Sequence, residues 1–102
     1  MGDWLATIAE AEGFDWDAGN STKSIDKHRV SRLEAEEVFK NRPLLLLDDP
    51  THSHAEIRGV AFGKSNSARL LTVSFTLRGR RIRVISARSM HRKERSRYEQ
   101  EQ

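Results

Sequence analysis

The chain has 102 residues, 36% hydrophobic and 32% charged, with a mean hydropathy of −0.71, which suits one domain built around one core. It contains no cysteine, so disulfide frameworks, thiolate zinc sites and cysteine nucleophiles are excluded. Net charge is only +3, but residues 1–68 carry 8 Lys/Arg against 12 Asp/Glu, whereas residues 69–102 carry 10 against 3.

The elements follow in chain order. Residues 3–12 fit a helix capped by Asp3, with Trp4, Leu5 and Ile8 on one face and Gly13 at its end. Phe14 and Trp16 flank Asp15, an alternation that suits a brief strand. Asp17 is then a cap for a second helix running to about His28, weakly specified because Gly19, Asn20, Ser21 and Thr22 form helix poorly. Ser31 and Glu34 make a capping box for a third helix, Ser31 to Lys40, with Val30 and Ala35 as its hydrophobic staple. Leu44–Leu47, Ile57–Phe62, Leu70–Leu77 and Arg81–Ala87 read as strands, divided by Asp48-Asp49-Pro50, Lys64–Ser67 and Arg78-Gly79-Arg80. Short connections of this kind make antiparallel neighbours. From Met90 to about Glu101 the chain reads as a polar helix docked by Met90 and Tyr98 alone. The sum is an α+β fold: N-terminal helices, a four-stranded antiparallel meander and a closing helix, in a single domain over residues 1–102.

Alternation along the strands sorts their side chains by face. Leu71, Val73, Phe75 and Leu77 form core, leaving Thr72, Ser74 and Thr76 as a polar surface in mid-sheet. Glu56 with Arg58, and Arg81 with Arg83, fall on common faces. Nine of the ten basic residues beyond position 68 are arginine, whose planar fork matches the oxygens of a phosphodiester. A nucleic acid is therefore the first partner to expect, and the competing reading is a solvated face with ordinary cross-strand ion pairs. The longest apolar run, Leu44–Leu47, falls far short of the ~20 residues that cross a bilayer, and no basic-then-apolar leader opens the chain. A cytoplasmic protein is expected. His52-x-His54 makes a weak metal site without further ligands, and no metal or cofactor is expected.

Longer motifs add a resemblance. Phe14-Asp15-Trp16-Asp17, Lys27-His28, Val30-Ser31, Ala35 and Val38-Phe39 stand in an order that resembles the BrnT family. Asp49-Pro50, His52, Glu56-x-Arg58, Gly63, Arg69-Leu70-Leu71, Thr76, Arg78-Gly79 and Ile82 to Arg88 continue it, and Glu94 and Tyr98 complete it. The similarity spans residues 14–98 and leaves 1–13 as an extension. It implies a RelE-like fold, a bacterial ribonuclease toxin that arrests translation when free, and a BrnA-like antitoxin that holds it in a hetero-oligomer.

The mechanism expected of such a protein needs no metal. A base takes the proton of a ribose 2′-hydroxyl, which attacks phosphorus while arginines stabilise the phosphorane. RNA is required because DNA lacks that hydroxyl. Glu56, His28 and His52 are the base candidates, and Arg58, Arg83 and Arg88 the charge-stabilising ones. Lys27, Thr76, Arg78, Arg81 and Tyr98 are candidates for holding the substrate. Against this stands a non-catalytic basic module that binds nucleic acid or a partner. In that reading Tyr98 only docks the last helix, and Lys27-His28 only favours a helix C-terminus.

Overall fold

A computed structural model describes residues 3–52 and 56–101. In chain order they form α1 (Trp4–Ala9), α2 (Lys23–His28), α3 (Arg32–Lys40), β1 (Leu45–Asp48) and a 3₁₀ turn at Pro50–His52. There follow β2 (Arg58–Lys64), β3 (Leu70–Arg78), β4 (Arg81–Ser89) and α4 (Arg92–Gln100). The four strands make one antiparallel sheet in the order β1-β2-β3-β4, so the fold is the expected α+β meander with helices before and after it.

Helix starts agree with their caps. The Ala6 N–H donates to Asp3 Oδ1 at 3.2 Å. At α3 the Glu34 N–H donates to Ser31 Oγ at 3.1 Å, and the Ser31 N–H donates back to Glu34 Oε1 at 3.2 Å. Orphan donors at both ends of that box are thereby satisfied. The helix from Asp17, in contrast, does not form: α2 starts only at Lys23. The Asp17 carboxylate accepts the Gly19 N–H at 2.8 Å and is otherwise engaged by Arg83, which holds a turn in place of a helix. Asn20, a poor helix former, is buried instead and donates to the carbonyls of Val84 and Asp15 at 2.8 and 3.0 Å.

One face of the sheet carries the main core. Ala61, Leu71, Val73, Phe75, Ile82, Val84 and Ala87 pack against Ile8, Val30, Ala35, Val38 and Phe39 from the helical side. Phe75 lies at its centre, with the rings of Trp4 and Phe39 edge-on at 5.0 and 5.2 Å. Residues 12–15 run beside β4 as a single parallel bridge at Phe14–Ile82, shielding that edge.

The second face is not left open. Strands β1 and β2 are apolar on both sides, so Leu45, Leu47, Val60, Phe62 and Leu70 need a cover of their own. Met90 and Tyr98 supply it, and the Tyr98 hydroxyl donates to the Pro43 carbonyl at 2.6 Å. The other half of this face is polar. A bulge shapes it: Ser74 pairs with Ser86 but Phe75 with Val84, which makes Ile85 an extra residue of β4. Side chains five positions apart would ordinarily face opposite ways; the extra residue returns Arg88 to the face of Arg83.

Candidate active site

The polar half of the second face is organised by register. Arg58 of β2 lies opposite Thr76 of β3, which lies opposite Arg83 of β4. Two strand spacings set the backbones of Arg58 and Arg83 about 10 Å apart. Glu56 joins this row at its β2 end, accepting from Arg58 Nη2 at 3.4 Å, with Arg78 Nε 3.9 Å from its other oxygen. Arg78 and Arg81, paired across the β3–β4 turn and both exposed, extend the row toward the hairpin tip. Five of the residues singled out in the sequence, Glu56, Arg58, Arg78, Arg81 and Arg83, thus gather at one end of the sheet.

Arg83 is the most tightly held of them. Its Nη1 and Nη2 donate to the two oxygens of Asp17 at 3.1 and 3.0 Å, and Asp15 Oδ2 lies 3.6 Å from Nη1. The Arg83 hydrogen bonds, then the Gly19 N–H, hold the Asp17 carboxyl below the usual carboxylate range. The same pairing raises the Arg83 guanidinium, with the charges of Asp15 and Glu56 adding to it. Neither aspartate figured among the site residues read from the sequence. Their signal is the alternation itself: with Phe14 and Trp16 turned toward the core, Asp15 and Asp17 face the other way.

Other candidates lie elsewhere. Thr76 sits in the middle of the row but is 1% exposed, and its hydroxyl donates to the Ile57 carbonyl at 2.7 Å, so it braces the entry to β2 rather than presenting a donor. Tyr98 is fully buried with its hydroxyl on Pro43, and it serves to dock α4, not to stack on a base. Arg88 makes a two-pronged pair with Glu94 at 2.8 and 2.9 Å. Glu94 also accepts from the His91 N–H and from Thr72 Oγ1, and the Arg88 bonds first of all pull its carboxyl down to about 2. This network ties the start of α4 to the sheet. Lys27 and His28 are exposed in the last turn of α2. The carbonyl of His28 accepts from Arg69 Nη2, beside the start of β3. Arg69 precedes β3 and Thr76 lies near its far end, so that corner meets the opposite end of the strand from the Arg58–Arg83 row. The backbone of His52 belongs to the 3₁₀ turn, its side chain is not described, and His54 lies outside the described residues. Among the described residues no three His, Asp or Glu side chains gather as metal ligands, and no helix is long and apolar enough to cross a membrane.

A carboxylate between guanidiniums on rigid strands can take a proton while the cations hold a doubly charged phosphorane. The comparison with known proteins gives a family. The family model described as the ribonuclease toxin BrnT of a type II toxin–antitoxin system matches residues 16–94. No curated protein matches the chain.

Proposed function

Since the chain belongs to the BrnT family of ribonuclease toxins of type II toxin–antitoxin systems, we propose that it cuts RNA at the arginine-lined end of its sheet without a metal. Family membership brings with it an RNA substrate and an antitoxin partner. The observation that carries the finer reading is the row itself: Glu56 beside Arg58, in register through Thr76 with Arg83.

In this reading Glu56 takes the proton of a ribose 2′-hydroxyl, and the freed oxygen attacks the adjacent phosphorus. Arg58 and Arg83 hold the non-bridging oxygens as negative charge builds on them, which stabilises the transition state more than the bound RNA. The bond to the 5′-oxygen breaks, that oxygen takes up a proton from water while the proton on Glu56 passes back to the hydroxide so formed, and a 2′,3′-cyclic phosphate remains. Arg78 and Arg81, exposed beside the row, attract the flanking phosphates. Glu56 is favoured over His28 as base because it bonds Arg58 directly, whereas the end of α2 meets the opposite end of β3. Cleavage of cellular RNA arrests translation in the cytoplasm, and a BrnA-like antitoxin, covering the net +7 of residues 69–102, prevents it.

The test is incubation of the purified, partner-free chain with RNA in EDTA, followed by analysis of the ends. Products with a 2′,3′-cyclic phosphate and a 5′-hydroxyl are expected. Activity lost in EDTA and restored by a divalent ion refutes the metal-free mechanism. RNA binding without any cleavage by folded protein identifies a binding module instead.

A further inference from the structure

Arg83 cannot grip a phosphate end-on in the conformation described. Both of its terminal nitrogens are already bonded to the oxygens of Asp17, and its side chain is only 13% exposed. Asp17 itself is 56% exposed. A carboxylate and a phosphodiester each offer two oxygens at similar spacing, so one guanidinium fork accepts either. We propose that Asp17 is a displaceable stand-in for the RNA phosphate, an internal carboxylate that occupies the Arg83 subsite until a phosphodiester replaces it.

The surrounding turn is built for such an exchange. Its base is fixed by Asn20, which is 5% exposed, donates to the Val84 and Asp15 carbonyls and accepts the Asp17 N–H at 2.8 Å. Above it Ala18 and Gly19 are exposed, and Asp17, whose N–H and carbonyl are both held, turns only its side chain to solvent. Gly19 closes over the guanidinium because it has no side chain; a Cβ there would lie 3.3 Å from Arg83 Nη2 and 3.1 Å from Asp17 Oδ1. The Asp17 side chain can therefore rotate off the fork while its backbone and the β4 edge stay in place. Asp15, 3.6 Å from Nη1, remains to orient Arg83 after Asp17 leaves.

This inference rests on the reading of the arginine row as an RNA site, and its test separates the two. Binding of a 2′-O-methyl RNA oligonucleotide, which lacks the nucleophile, is measured for wild type, Asp17→Asn and Glu12→Gln. Glu12→Gln removes the same charge from an exposed pair with Arg80 at 3.7 Å, away from the fork. Asp17→Asn is expected to bind about fivefold tighter than Glu12→Gln, the scale of one exposed ion pair no longer competing. Gly19→Ala, which presses the turn off the guanidinium, carries the same expectation and replaces Asp17→Asn should that variant not fold. Wild-type binding with no gain over Glu12→Gln, or with a loss, overturns the proposal alone and makes Asp17 a fixed support of Arg83. No binding by any folded variant overturns the RNA site and the proposal together.

Discussion

Replacing Glu94 by glutamine should destabilise the fold by an amount that disappears in acid. Glu94 receives four hydrogen bonds, two from Arg88, one from the His91 N–H and one from Thr72. These bonds lower its carboxyl from 4.5 to about 2 in the folded chain. A carboxyl that titrates lower when folded stabilises the fold fully above its unfolded value and ceases to as pH falls through its folded one. At 1.36 kcal/mol per pH unit the whole displacement corresponds to about 3 kcal/mol. Water still reaches both partners, Arg88 and Glu94 being 31% and 22% exposed, and screening reduces the expectation to about 1–2 kcal/mol. Urea unfolding of wild type and Glu94→Gln between pH 3 and pH 7 measures it. The two should differ by that amount at pH 6–7, and more than half of the difference should be gone by pH 3. A gap that stays constant over the range refutes the assignment to ionic pairing and leaves only shape and capping.

Three further outcomes are expected. Arg58→Ala and Arg83→Ala should each slow single-turnover cleavage roughly 100- to 1000-fold, about 3–4 kcal/mol, with uncleaved RNA still bound, while Arg95→Ala and Arg97→Ala cleave nearly normally at saturating RNA. Should Arg58→Lys and Arg83→Lys keep the full rate, directed contact by the planar fork is wrong and the face acts only by attraction. Gly59→Ala should lower stability by about 1–3 kcal/mol in thermal melts, because its Cβ would meet Phe75 Cζ at 2.7 Å and the Leu47 carbonyl at 3.3 Å. Tyr98→Phe should cost about 1 kcal/mol in urea unfolding by leaving the Pro43 carbonyl without its donor, and should leave the cleavage rate per folded molecule unchanged.

The strands were legible because alternation is a short-range code: Leu71, Val73 and Phe75 read as core from sequence and are core in the structure. The capping box at Ser31 is equally local and equally readable. What sequence pattern misses here is long-range competition for a side chain. Asp17 has the chemistry of a helix cap, but Arg83, sixty-six residues later, takes its carboxylate. Thr76 has the face of a ligand donor, but flanking arginines and the Ile57 carbonyl close around it. Arg88 had the charge for phosphate and is engaged by Glu94. In each case the residue type is compatible with two partners, and only the folded geometry decides between them.

The extra residue at Ile85 divides β4 into two reading frames. Upstream of it, the strand carries the arginine that faces the polar row; downstream, it carries the one that fastens the last helix. A slip of pairing by one position would invert every side chain within its own segment. The Arg83 end and the Arg88 end thus keep separate pairing registers while sharing one strand and one face.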